Sequence, residues 1–279
     1  MKFIDLVFVV LVIGLLGGVA DSQALKRTTT KTDTIALGAG STVSIAGAPV
    51  GSITVTTIAG NNIQISANIE VQAANEEDLA AAAVLTGFVT QDSLGKLSIV
   101  SVGADSRRKF TDTEKKLIKR LKGMPYRIDY TIGVPRYSNV EINAGEGDVE
   151  LSAPEGDHRI NALNSKVKVS VPGGSLVTTI AKGELSIELP ASGRRGLNID
   201  ASVASGDLSI MLPTNVSADI DATILRTGKV TNEITPLKPR DRKVPFTDKL
   251  VRATLGVGGP TIKLTVGDGN IRLEPWTLQ

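Results

Sequence analysis

The sequence predicts an all-β chain: a parallel β-solenoid of about 18–23-residue repeats, with a strand-rich N-terminal part and two short helices. Three observations point there. Valine, isoleucine and threonine fill 77 of 279 positions while aromatic residues make up 3%, a composition suited to pleated, half-buried surfaces. Apolar and polar residues alternate in short runs, the strand period. A unit that starts at a glycine and ends at a proline then recurs at a nearly fixed spacing, as stacked repeats do.

The first 24 residues stand apart. Lys2 precedes a mostly apolar run, Leu6 to Leu16, and Ser22 and Ala24 fit the −3 and −1 positions of a signal-peptidase site. The expectation is an export signal removed before Leu25, placing the mature chain in the periplasm, at the cell surface or outside the cell. The run is too short for the ~20 residues that span a bilayer. Its removal takes the charge balance from 31 basic and 29 acidic residues to 30 and 27, too even to favour nucleic acid as a partner. With no cysteine and a single histidine, disulfide scaffolds, thiol nucleophiles and multi-histidine metal clusters are excluded. No cofactor is expected.

Residues 25–125 read as a strand-rich N-terminal part. Val43-Ser44-Ile45, Ile53-Thr54-Val55, Ile63-Gln64-Ile65 and Leu97-Ser98-Ile99 alternate, and Gly51, Gly60, Gly95 and Asn61-Asn62 supply turns between them. Two stretches break the pattern. Asn75 to Val84 opens with a capping residue and acidic first turn. Thr111 to Leu121 opens with a Thr111-x-x-Glu114 capping box and puts Leu117, Ile118 and Leu121 on one face. Both are expected to be helices. Arg107 to Lys122 carries eight basic and two acidic residues, a candidate weak contact with an anionic surface.

Residues 126–279 hold the repeats. Gly147-Asp148-Val149-Glu150-Leu151 leads to Pro154, Ser165-Lys166-Val167-Lys168-Val169 to Pro172, Gly183-Glu184-Leu185-Ser186-Ile187 to Pro190, and Gly206-Asp207-Leu208-Ser209-Ile210 to Pro213. Looser copies begin at Gly228 and Gly269, with an insertion around 236–252. Stacking would align Val149, Val167, Leu185, Leu208 and Val230 in one inward column, the glycines at a corner, and small residues such as Ala201 and Ala222 inside.

Tyr130-x-Ile132-x-Val134-Pro135, the turns Gly145-Glu146-Gly147-Asp148-Val149 and Ala204-Ser205-Gly206-Asp207-Leu208, and the closing Gly267-Asp268-Gly269-Asn270-Ile271 resemble a bacterial family of exported adhesin-like proteins of unknown function. The resemblance spans roughly 126–275, and Ser165 departs from it by replacing a glycine. It implies an adhesin-like β-solenoid and transfers no catalytic residue.

Chemistry weighs against an enzyme. His158, within Glu155-Gly156-Asp157-His158-Arg159, reads as an exposed turn residue. Asp148, Glu184 and Asp207 follow the corner in three repeats and could form a carboxylate row for glycoside hydrolysis, yet Lys166, Lys229 and Asn270 occupy equivalent positions. Gly267-Asp268-Gly269-Asn270 falls short of the oxygen ligands calcium takes. Gly256-Val257-Gly258-Gly259-Pro260 lacks the Lys-Ser/Thr of a phosphate loop. No catalytic, cofactor-binding or metal-binding residue is therefore assigned. The expected role is a non-catalytic, exported, adhesin-like or envelope-associated binding module. It would present flat Thr/Ser/Asn/Asp/Lys faces to a surface, polysaccharide or protein partner. A carbohydrate-active enzyme using aligned carboxylates is the alternative.

Overall fold

Alternation and glycine corners together dictate the local structure: short strands, in pairs, each pair meeting at a glycine. The computed structural model describes residues 24–38, 40–104, 112–152, 154–190, 197–213, 215–235, 237–241 and 243–276. The expected export signal, apart from Ala24, lies outside the described residues, as do Thr111 with its capping box and the basic residues 107–109.

Strand makes up 66% of the chain and helix 7%. The elements run β1 (Leu25–Ala36), β2 (Thr42–Ala46), β3 (Ile53–Ile58), β4 (Asn62–Ala73), α1 (Glu76–Leu85), β5 (Gly87–Ser93), β6 (Lys96–Val102) and α2 (Asp112–Leu121). There follow β7 (Tyr126–Pro135), β8 (Asn139–Glu146), β9 (Val149–Ser152), β10 (Gly156–Ser170), β11 (Gly174–Glu188), β12 (Asn198–Ser205) and β13 (Leu208–Leu212). The chain ends with β14 (Ala218–Thr227), β15 (Val230–Asn232), β16 (Lys238–Pro239), β17 (Leu250–Leu255), β18 (Thr261–Asp268) and β19 (Ile271–Pro275).

All 19 strands belong to one hydrogen-bonded sheet with two arms. The first arm pairs β5–β6–β2–β8–β10–β11–β12–β18–β14–β17–β16. The second pairs β1–β4–β7–β3–β9–β10–β11–β13–β19–β15. The 15-residue strands β10 and β11 run through both, their first halves in one arm and their second halves in the other. Both arms bury their inward residues in one apolar cluster.

The all-β class stands, with its two helices, but the sheet is mixed and a uniform parallel solenoid is not what the chain forms. The pairings β1–β4, β4–β7, β5–β6, β14–β17 and β16–β17 are antiparallel. The cause is local at β5–β6, where Leu94 (φ 41°) and Gly95 (φ 81°) form a two-residue turn that can only return the chain antiparallel. Between the antiparallel flanks the strands are parallel and in register. Ile53, Val149, Val167, Leu185, Leu208 and Ile271 form one inward column, and Val55, Leu151, Val169, Ile187, Ile210 and Leu273 the next, all at most 2% exposed.

The expected order of that first column is corrected at its end. Leu208 pairs with Ile271, and Val230 lies beyond it. Strands β18 and β19 slot between β12–β13 and β14–β15, because the chain first turns back through β17 antiparallel to β14. Strands β2 and β3, from the part ahead of residue 126, pair with β8 and β9 from the part behind it.

The corner glycines align across the units. Gly51, Gly147, Gly183, Gly206, Gly269 and Gly228 all have φ between +116° and +148°, outside the range L side chains favour. The approach is closest at Gly206, where a Cβ would lie 1.7 Å from the carbonyl oxygen of Gly183. Ser165 fits the row without a positive φ, which among the described non-glycine residues occurs at Leu94 alone, and its hydroxyl donates to the Gly145 carbonyl at 3.2 Å.

At the N-terminal end, α1 and α2 cover the core. Asn75 caps α1, its Oδ1 accepting from the Asp78 backbone N–H at 2.9 Å, and Leu79, Ala82 and Leu85 are buried. Leu121 of α2 is buried and Ile118 partly so, while Arg120 ties α2 to Glu77 and Asp78 of α1. The edge strands β1 and β5 are joined by Lys31. Its ammonium donates to the Phe88 carbonyl at 2.9 Å and sits 4.6 Å over the Phe88 ring, a link that occupies one side of an otherwise open end.

Candidate binding face

The first arm has an outer surface set by strand parity. With Ile142, Ile160 and Val203 inward, their neighbours must point out. Register then places Asn143, Asn161, Thr179, Ser202, Thr265 and Thr223 in one row across β8, β10, β11, β12, β18 and β14. The Asn161 amide donates to the Asn143 carbonyl oxygen at 3.0 Å, and the Ser202 hydroxyl reaches Thr178 O at 3.4 Å. Strands lie about 4.8 Å apart, so uncharged donors and acceptors repeat at that interval.

The adjoining row is charged but cross-paired. It runs Ser44, Glu141, Arg159, Val177, Asp200, Lys263 and Asp221. Lys96 donates to Glu141 at 2.6 Å and holds that carboxyl below the usual range, and Arg159 beside it acts in the same direction. Lys263 pairs with Asp200 at 3.3 Å and Arg240 with Asp221 at 3.3 Å. Signs alternate, so the face offers hydrogen bonds more than net charge.

The outer row of the second arm holds the carboxylates singled out as a possible sugar-cleaving set. The structure does not gather them. Lys166 on β10 stands between Asp148 and Glu184, with its ammonium 3.5 Å from Glu184. Asp207 accepts from the Asn270 N–H at 2.8 Å, from its amide at 3.1 Å, and faces Arg272 at 3.4 Å. Asp268 is likewise engaged by the Thr227 hydroxyl at 2.8 Å and by Arg226, which pull its carboxyl below the usual range. Among the described residues no three potential metal ligands converge.

His158 is corrected. It is not an exposed turn residue: Gly156 already begins β10, and His158 shares the parity of Ile160, pairing with Val140 and Leu176 in an inward column. It is 2% exposed, Nε2 lies 2.9 Å from the Pro154 carbonyl and Nδ1 has no partner. Burial lowers its pKa, opposed by the Pro154 bond.

The basic segment 107–122 is represented here by α2. Arg120 is committed to α1, and Lys116, Lys119 and Lys122 are exposed.

Two features escaped the sequence reading. The Asn/Thr/Ser row had a signal, since each of Asn143, Asn161, Thr179, Ser202 and Thr265 lies four residues before its corner residue. The other is Asp129. Its Oδ1 accepts from both the Ser52 backbone N–H and the Ser52 hydroxyl at 2.7 Å, and Arg127 grips it at 2.9 Å. Burial alone would raise its pKa, but Arg127 and Ser52 together bring it below the usual value. No short motif marks it.

No family model matches the sequence, and no curated protein matches it. Among solved structures, the fold is similar to that of a putative cell adhesion protein from Clostridium sporogenes, with a TM-score of 0.52 and 11% identity, over 88% of this chain and 100% of that one. A putative adhesin from Bacteroides fragilis (14% identity, 88% and 97% covered, TM-score 0.27) and a putative lipid binding protein from Parabacteroides distasonis (14%, 88% and 96%, 0.25) align less closely. The Clostridium likeness bears on the fold. No helix among the described residues is long and apolar enough to cross a membrane.

Proposed function

We propose that the protein is an exported, non-catalytic binding module of the cell envelope, and that the outer face of its first arm holds an uncharged or weakly charged polysaccharide. The observation that carries this reading is the in-register row Asn143–Asn161–Thr179–Ser202–Thr265. A ladder of amides and hydroxyls suits a polymer of hydroxyl groups, and multiple weak contacts at regular spacing add up through avidity. Sign alternation in the neighbouring row disfavours polyanions. The name given to the Clostridium structure is in keeping with this role. The carboxylate alternative loses support because Lys166, Asn270 and Arg272 neutralise or occupy the acids it needs.

The experiment is retention on a panel of immobilised envelope polysaccharides. The double variant Thr179→Arg/Ser202→Arg, both at outward positions, should lose retention at least tenfold while its thermal unfolding stays unchanged. Retention unaffected by the variant, or release of shortened oligosaccharides, would refute the proposal.

A further inference from the structure

Where the two arms meet, an open groove of about 930 Å³ crosses the strands, with the polar row Asn143, Asn161, Thr179, Ser202 and Thr265 in its lining. That volume is typical of small-molecule sites. Its course follows the strand order β2–β8–β10–β11–β12–β18–β14. The positions just past the polar row are Gly145, Leu163, Ala181, Ala204 and Gly267. Leu163, Ala181 and Ala204 are exposed yet apolar, whereas Gly145 and Gly267 are held to glycine by the backbone, a Cβ there lying 2.2 Å from the Pro49 oxygen and 2.3 Å from the Ala204 oxygen. Leu163 is 64% exposed and Leu225, at the far end, 61%; exposed leucines lining a single groove are a binding feature more than a packing one. No aromatic ring lines it, so stacking against sugar rings is not its chemistry.

The groove has one charged lining residue, Arg226. Its guanidinium arches over Gly267, held by Nε and Nη2 bonds to Asp268 and an Nη2 bond to the Ala204 carbonyl at 3.3 Å. Nη1 has no acceptor among the described residues. Lys249 adds a second cation at that end, its ammonium 2.7 Å from the Arg226 carbonyl. From Gly267 to Gly47 the groove spans five strand intervals, about 24 Å at 4.8 Å each. A membrane acyl chain covers about half of the ~30 Å hydrocarbon core, so one extended chain fits with length to spare.

We infer that this groove binds a single long-chain fatty acid, its carboxylate at Arg226 and its hydrocarbon tail lying over Ala204 and Ala181, past Leu163, toward Gly47. The charge of Arg226 is balanced by Asp268, so its free Nη1 and the neighbouring Lys249 ammonium meet the anionic head, and the uncharged remainder accepts the tail. The polar row Asn143–Asn161–Thr179–Ser202–Thr265 lines the same groove, so a fatty acid and a polysaccharide would compete for this face, although the fatty-acid inference does not depend on the polysaccharide reading.

The test is titration of the full mature chain with palmitate, read by displacement of a fluorescent fatty-acid analogue. Saturable binding of one palmitate per chain is expected. Ala204→Leu, which fills the tail path from an exposed position, should weaken palmitate at least tenfold. Arg226→Gln should weaken palmitate about tenfold and leave the uncharged hexadecanol unaffected. The inference is overturned if the wild-type chain shows no saturable palmitate binding, or if Ala204→Leu binds it as well as the wild type. It is equally overturned if Arg226→Gln weakens palmitate and hexadecanol alike. Unchanged thermal unfolding of both variants confirms that the comparison is between folded proteins.

Discussion

Replacing Gly206 by alanine probes the contact that sets the corner row. Two terms add. At φ +134° an L residue occupies backbone space essentially reserved for glycine, at a cost of about 1–3 kcal/mol. The new methyl carbon would also stand 1.7 Å from Gly183 O and 2.8 Å from Gly183 C, and both belong to backbone already fixed in the ladder. Relieving that overlap means parting two strands, an overpacking cost of about 1–3 kcal/mol. The expected loss is thus about 4 kcal/mol, or a fall in Tm of roughly 8–16 °C for a chain of this size. Gly60→Ala is the control. Gly60 has φ +97° but nothing within 4 Å of its would-be Cβ, so it carries only the backbone strain, about 1–3 kcal/mol, and not the overlap. Urea unfolding followed by circular dichroism reads both. If the two variants unfold within about 0.5 kcal/mol of each other, the ordinary range for surface changes, close stacking of the corners contributes nothing and the reasoning fails.

His158 makes stability depend on pH. Its lowered folded pKa means that the unfolded chain takes up the proton first, so stability is complete above about pH 6.5 and declines as pH falls toward the folded value. The slope is at most about 1.4 kcal/mol per pH unit, and His158→Leu should flatten it in urea midpoints compared between pH 7.5 and 5.0. Asp129→Ala removes the acceptor of both Ser52 bonds and should cost about 1–3 kcal/mol. Because the folded Asp129 pKa is depressed, the wild type should lose the same contribution as pH drops below about 4, and unfolding curves at pH 3 and 6 would show whether the variant and wild type converge. Asp207→Asn keeps an oxygen for Asn270 and gives up only the half-exposed Arg272 pair, so a change above about 1 kcal/mol in the same assay would contradict the assignment.

The parts of the fold legible in the sequence were those written in local spacing. A glycine at a fixed distance before a proline marks a corner, and alternation around it marks which residues go inward, so the columns through Leu208 could be aligned by counting. Spacing is blind to which strand ends up beside which. Nothing in the Gly228 and Gly269 repeats announces that the later one docks first against β13. The antiparallel flanks depend on individual turns such as Leu94-Gly95, whose positive φ at a leucine no pattern predicts. His158 was misread because glycine and charged neighbours suggested a turn, although its parity with Ile160 placed it inside. The polar row was legible in principle, at four residues before each corner, but an outward Asn or Thr looks like ordinary surface until register sets it beside its equivalents.

The insertion of β18 and β19 between earlier strands also sets an order of assembly. Units laid down one after another can fold as they emerge, each on its predecessor. Here β14 and β15 have no permanent place until the segment after residue 260 has arrived to separate them from β12 and β13. The closing contacts of the fold therefore wait for the segment that carries β18 and β19. The C-terminal segment acts as a keystone, so a chain cut before it would leave a long, unpaired strand edge exposed rather than a shorter version of the same protein.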